Sequence, residues 1–397
     1  MSKTRIYLVT ISLALLSLMK TSALADEHEE LKTDSITSEK NSAIVGDPVT
    51  TLAFSAELTV FENNELPVDS ATFFNHVAGL EFQIPLDFNS EVKHYIDYFG
   101  TSWQVKLKEM ITLSQYYFPK YEAILDKNNL PLELKYISVI ESALNPYAVS
   151  RSGAVGLWQF MPYTGKIYNL QIDRFQDQRR DVDLSTQAAC NYFSDMSEVF
   201  DDWLVVIASY NCGPGNIRKA IRKAGGKTGF WEIYPYLPSQ TQHYIPSFIA
   251  VAYLMNFYEY YGILPSFVEQ PSMDVAAVSC TPNHNMKAIC EVLELPMDEI
   301  RRINPALKTG DMPQNVSQIN LKLPTSYVYA FIENEGLILE KSEEYKAQVV
   351  EHIYVVKRGD SLPAIANRHG CSVTELKQWN GLTSSLIHPG KQLKLYL

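Results

Sequence analysis

The sequence predicts a multidomain protein in which a mostly α domain is followed by small α+β modules of β-α-α-β order. Three observations predict it. Segments between positions 92 and 262 carry helical spacing and no convincing alternating strand. The last fifty positions switch to strand, helix, helix, strand. That C-terminal unit also aligns without a gap on a segment 76 positions earlier.

Residues 1–25 have the layout of an export signal. Lys3 and Arg5 precede a largely apolar run of fourteen residues (6–19), and Ala23-Leu24-Ala25 supplies the small-residue cleavage pattern. The run is short for a membrane span, so no transmembrane segment is expected in the mature chain. Cys190 is the first cysteine, so a lipid-carrying cysteine at the cleavage point is not expected either. Residues 26–85 are polar at first, with acidic and Ser/Thr-rich stretches, and are expected to form a flexible leader.

Residues 86–265 are expected to form the helical domain. Helical spacing runs through 92–99, 103–125, 131–142, 185–200, 202–211 and 241–262, with Pro131 placed as a first-turn residue and Pro246 expected to bend or delay the last helix. At 131–142 the apolar stripe Leu130, Leu134, Ile137, Leu144 gives one of its positions to Glu141. A charge on a buried stripe is expensive unless it is paired, neutralised or used.

Residues 351–397 form the C-terminal module. HIYVVKRG alternates as a strand and meets Asp360-Ser361, an N-cap for a helix closed by Gly370. Ser372 and Glu375 pattern as a capping box, Asn380-Gly381 as a turn, and QLKLYL as a returning strand. In the repeat at 272–325, Ala288, Ile289, Glu299 and Asn304 fall on Ala364, Ile365, Glu375 and Asn380, and both units end in Leu-Lys-Leu. Residues 326–350 between them are expected to be a linker, or a helix of their own.

Composition narrows the function. With 46% hydrophobic residues a sizeable core is available, and 34 basic against 45 acidic residues argues against a nucleic-acid partner. Loss of residues 1–25 takes the net charge from −11 to −14. Export permits disulfides, and Cys190–Cys212 and Cys280–Cys290 are the pairings considered, with Cys371 left over. No Cys/His cluster has metal-site spacing, so neither a metal nor another cofactor is expected.

Three stretches place polar groups beside glycines or aromatics, as a ligand groove does: Glu141-Ser142, GAVGLWQFMP at 153–162, and SYNCGPGN at 209–216. In this order, and with DVDLSTQAACNYF (181–193) and YLPSQTQHYIP (236–246), they resemble the soluble lytic transglycosylase domain, a lysozyme-like fold. YVVKRGDSLPAIANRHGCSVTELKQWNGL resembles LysM, a module that binds N-acetylglucosamine polymers. The resemblance implies an exported, periplasmic or wall-associated peptidoglycan lytic transglycosylase, a monomer whose partner is the glycan strand. It implies that Glu141 is the single acid, then base, in cleavage of the bond between N-acetylmuramic acid and N-acetylglucosamine, leaving a 1,6-anhydro sugar. The alternatives are a goose-type lysozyme-like hydrolase and a non-catalytic peptidoglycan-binding protein.

Further roles follow from the resemblance. Ser142 would orient Glu141 or touch substrate, and Gln159 and Tyr210 would position the sugars and the glutamate, with Asn211 in the same block. Trp158, Phe160, Met161 and Tyr244 would line the groove by stacking on sugars, core packing being the competing account. In the LysM module, Gly359, Asp360, Ser361 and Leu362 would contact sugar. Three departures stand out: Cys212 where alanine is common, Gln240 where a glutamate usually precedes the threonine, and Asn283-His284-Asn285 where the last module has Gly-Asp-Ser.

Overall fold

Four helices of the first domain start where an Asp or Asn side chain takes up amides that a first turn leaves unpaired. In a computed structural model that describes residues 66, 68–267, 271, 274–313, 316–347, 351–369, 371 and 373–396, Asp69 caps α1 (Ser70–Val77) and Asn89 caps α2 (Ser90–Gly100). α3 (Gln104–Lys127) contains Pro119. A 3-10 turn (Leu132–Leu134) leads into α4 (Lys135–Ser142), and α5 (Pro162–Ile167) opens on proline. Asp181 caps α6 (Val182–Ser197) and Asp202 caps α7 (Trp203–Cys212). α8 (Pro214–Lys223), the single turn α9 (Phe230–Ile233) and α10 (Ser239–Phe257) complete the domain. The expected export signal, Gly370 and Ser372 lie outside the described residues.

α7 and α10 are buried on nearly every side, which makes them the axis of the domain. α10 packs against α2, α4 and α7, so it runs directly behind the helix that carries Glu141. It also continues through Pro246. The stripe residues Leu130, Leu134, Ile137 and Leu144 are all buried in the one core.

The structure corrects the leader. Phe73 of α1 is fully buried, its ring 4.7 Å from Tyr253 and 4.9 Å from Phe88. Val68, Ile84 and Leu86 belong to the same core. Glu133, a buried carboxylate, accepts the amides of Gln83 and Ile84 and pins the segment down. Residues from 68 onward therefore belong to the helical domain.

The first module consists of β1 (Val275–Cys280), α11 (Met286–Leu293), α12 (Met297–Ile303) and β2 (Ile319–Pro324), with Val278 opposite Leu321 in an antiparallel pair. The supposed linker is a helical pair, α13 (Thr325–Glu333) and α14 (Glu335–Ala347), whose Phe331 and Ile338 sit in that module's core. The last module repeats the order as β3 (Glu351–Val355), α15 (Leu362–Arg368), α16 (Val373–Trp379) and β4 (Gln392–Tyr396). Asn304 and Asn380 do the same work in the two units. Each donates its amide to a carbonyl of the preceding helix and to a lysine carbonyl on the closing strand, and accepts that lysine's amide.

All five cysteines are free thiols, which corrects both proposed pairings. Burial pushes the Cys190 and Cys280 thiols up to about 12, so they behave as small hydrophobes.

Candidate active site

Glu141 lies in the last turn of α4, two residues before the helix breaks. The break uses no glycine: Ala143 and Leu144 both adopt left-handed backbone, at φ 52° and 59°. Each such residue costs about 1–2 kcal/mol outside glycine. Strain of this kind concentrates where surrounding structure fixes a functional geometry.

Glu141 keeps partial exposure, whereas most of its neighbours on α4 are buried. The Tyr244 hydroxyl, from α10, donates to Glu141 Oε1 at 2.6 Å. Burial pushes the Glu141 carboxyl up from 4.5 to about 7, and the Tyr244 bond opposes that rise. Since Oε1 accepts from Tyr244, the proton of the neutral acid belongs on Oε2. Among the described residues no other carboxylate helps to raise the Glu141 pKa.

The loop 150–160, which holds a stretch expected to line a groove, folds on itself. The Ala154 amide donates to Ser150 Oγ, Val155 bridges both Val149 and Phe160, and Gly156 donates to the Ala148 carbonyl. Gly156 has to be glycine: its φ is +89°, and an added Cβ would lie 1.8 Å from the Arg179 carbonyl oxygen. Gln159 also has positive φ, 49°, and its amide nitrogen donates to the carbonyls of Ala148 and Gly156.

Side chains from elsewhere hold this loop by its carbonyls. Ser142 Oγ is 2.8 Å from Leu157 O, and Ser138 Oγ is 3.0 Å from the same oxygen. Tyr210 OH donates to Trp158 O at 2.6 Å. Arg179 donates to Gly153 O and Phe160 O, and its guanidinium pairs with Asp177 in a buried salt bridge of 2.7 Å. Asn211 accepts from Thr241 Oγ1 at 2.9 Å, tying α7 to α10 beside Gln240.

These positions revise several expected roles. Ser142 bonds to the loop and to Ser138, not to Glu141. Trp158 is fully buried, donates to Thr186 and packs on Tyr121, so its ring is core. Phe160 is buried against Tyr210, whereas Met161 stays half-buried at the head of α5. Tyr244 is the hydrogen-bond partner of Glu141 rather than an open stacking surface. Arg179, Asp177 and Glu133 were not singled out by sequence, because a buried charge inside a charged stretch such as QDQRRD carries no local mark.

In the last module Gly359 (φ +91°) and Ser361 are exposed. Asp360 shapes the turn by accepting from the Lys357 amide and the Tyr354 hydroxyl, Ser361 caps α15, and Leu362 is buried core. The matching segment of the first module is closed over. His284 and Asn285 are buried, His284 stacks on Phe331 of α13, and the Asn285 amide donates to Ser342 of α14. Among the described residues no group of His, Cys, Asp or Glu is arranged to hold a metal ion, and no helix is long and apolar enough to cross a membrane.

Residues 120–232 match the transglycosylase SLT domain and residues 354–395 match the LysM domain. The membrane-bound lytic murein transglycosylase D of Escherichia coli strain K12 is 33% identical over 279 residues, covering 68% of this chain and 61% of that protein. The chain thus spans about three fifths of the length of that relative. A putative tributyltin chloride resistance protein of an Alteromonas species is 40% identical over 104 residues, 26% of this chain and 50% of that one. The crystal structure of the 70 kDa soluble lytic transglycosylase of Escherichia coli gives a TM-score of only 0.33 at 20% identity, covering 44% of this chain and 32% of that one.

Proposed function

This chain joins an SLT catalytic domain to a LysM domain and is homologous, at moderate identity, to lytic murein transglycosylases of the D type; from that premise we propose that it is an exported peptidoglycan lytic transglycosylase. The observation that carries the reading is Glu141, a carboxyl held near neutrality by burial, on a strained helix end, with Tyr244 as its hydrogen-bond partner.

The bond cleaved is the β-1,4 link from N-acetylmuramic acid to N-acetylglucosamine. A glycosidase of the usual kind needs two flanking carboxylates, and a single acid suffices where the substrate supplies the nucleophile. Glu141, protonated on Oε2, gives its proton to the glycosidic oxygen as the bond from C1 breaks. The N-acetyl group of the muramic acid supports the positive charge that develops at C1. Glu141, now a carboxylate, takes the proton of the C6 hydroxyl, and O6 closes on C1. The acid is restored and no water is consumed. A group that acts first as acid and then as base works best when its pKa lies near the working pH, and about 7 meets that demand.

The LysM module would hold the enzyme on the polymer, raising the local concentration of cleavable bonds without altering the chemistry. The test is digestion of purified peptidoglycan with wild type and Glu141→Gln, products identified by mass spectrometry. Anhydro-muropeptides from the wild type alone are expected. Reducing-end products would make the enzyme a hydrolase, and undiminished activity in Glu141→Gln would remove Glu141 from the chemistry.

A further inference from the structure

The segment 171–180, between α5 and α6, touches three parts of the molecule at once. Toward the first module it pairs backbone to backbone: Lys308 N donates to Phe175 O and Asp177 N to Ala306 O, both at 2.8 Å, with Gln176 bridged to Leu307. Lys308 Nζ also donates to Asp173 O at 2.9 Å. Toward the last module it sends Arg174, which pairs with Glu375 of α16 at 3.1 Å and lies 5.3 Å from the centre of the Trp379 ring. Toward the groove it sends Arg179, which grips the carbonyls of Gly153 and Phe160.

These contacts form one physical chain. Asp177 is the joint: its amide is bonded to the first module while its carboxylate holds the Arg179 guanidinium through both oxygens. Such a fork fixes the guanidinium in direction as well as place. The Arg179 backbone in turn fills the space that the missing side chain of Gly156 leaves. A shift of segment 171–180 therefore displaces the guanidinium and the peptide wall of the groove loop together. Meanwhile the exposed loop of the last module, around Gly359 and Ser361, is left open by docking through α16.

We infer that the docked C-terminal modules brace the groove loop 153–160 through segment 171–180, with Arg179 as a positioning residue and the Arg174–Glu375 pair as the outermost contact of the brace. The modules then do more than tether. They set the shape of the site even on a substrate too short to reach the LysM loop. A brace acts on the transition-state geometry, so its loss lowers kcat and leaves KM for a short substrate nearly unchanged.

Arg179 is a poor first variant, because removing one partner of a buried ion pair endangers folding. Arg174 and Glu375 are only partly buried, so their charges can be exchanged. The experiment uses the full chain as wild type, Arg174→Glu, and the double variant Arg174→Glu/Glu375→Arg. Turnover is measured on a short soluble peptidoglycan fragment, and amide hydrogen exchange of 153–160 by mass spectrometry. Arg174→Glu is expected to lower kcat about fivefold, in the usual range of couplings between sites, and to speed exchange in 153–160, with the charge-swapped pair restoring both. Unchanged turnover and unchanged exchange would overturn the brace, as would faster exchange confined to 171–180 and the last module. The kinetic arm rests on the transglycosylase reading and the exchange arm does not. An inactive wild type whose exchange still responds at 153–160 would sustain the brace and sink the enzyme.

Discussion

Replacing Glu141 by glutamine should make the protein more stable, by an amount set by pH. The carboxyl has an ordinary value of 4.5 in the unfolded chain and about 7 in the fold. Between those values the folded state holds the proton and the unfolded state has released it, so stability falls as pH rises. The contribution is fully present below 4.5 and is lost as pH passes through about 7. That gap corresponds to about 3 kcal/mol. Glutamine is neutral throughout, has nearly the same shape, and keeps an oxygen to accept from Tyr244.

The difference between variant and wild type is therefore near zero at pH 4 and about 3 kcal/mol in the variant's favour at pH 8. Every other titrating group cancels in that difference. Urea unfolding at intervals from pH 4 to 8, followed by tryptophan fluorescence with Trp158 as a core reporter, reads it directly. In calorimetry the same effect at pH 8 is a rise of roughly 6–12 °C in the melting of the helical domain. Parallel stability curves for the two proteins would refute the argument, since they would mean that Glu141 is no more desolvated in the fold than outside it. A wild type more stable than the variant at pH 8 would refute it more strongly, by showing that the charged form is the one the site favours.

Three other outcomes follow from particular contacts. Tyr244→Phe removes the bond that lowers the Glu141 pKa, so the alkaline limb of the activity profile moves up; a limb that stays in place would detach Tyr244 from the acid. Gly156→Ala drives a Cβ into the Arg179 carbonyl at a φ of +89°, at a cost of about 2–4 kcal/mol in calorimetry, and a variant that melts with the wild type would contradict the close approach. Phe73→Ala empties a fully buried site between Tyr253 and Phe88, costing about 3–5 kcal/mol in urea unfolding; a change below about 0.5 kcal/mol, the range of surface substitutions, would return α1 to the leader.

What the sequence discloses about this site, and what it withholds, divides along sequence distance. Glu141 is legible because helical periodicity is local: a carboxylate on the stripe of Leu134 and Ile137 is visible within one turn. The cap at Ser361 is local in the same sense. The partner of Glu141 is 103 positions away, and the contact from His76 to Tyr253 that helps seat α1 spans 177. No window around SATFFNHV distinguishes a short amphipathic helix in a leader from one buried under α10. Likewise the ends of the brace, Arg174 and Glu375, are 201 positions apart.

The side chains expected to stack on sugars, with core packing as the competing account, are hard to read for another reason, which bears on how the groove can be altered. A motif such as GLWQF invites each side chain to be taken as a ligand contact. In the structure the motif supplies backbone: the carbonyls of Leu157, Trp158 and Phe160 are the points that Ser142, Tyr210 and Arg179 hold. The Trp158 ring serves this arrangement from behind, through Thr186 and Tyr121. The proposed chemistry rests on Glu141 and Tyr244, while the shape around them depends on buried hydroxyls and one guanidinium that hold main-chain carbonyls, the guanidinium being itself held by the Asp177 carboxylate. Changes that keep those donors but alter the rings would repack the core and leave the loop's carbonyls in place. Removing the Tyr210 hydroxyl would free the Trp158 carbonyl, at a cost of about 1–3 kcal/mol, whereas Leu157 O would keep one of its two serines and Phe160 O the Val155 amide. In this fold the distinction between core and site runs through single residues, with side chain on one side and carbonyl on the other.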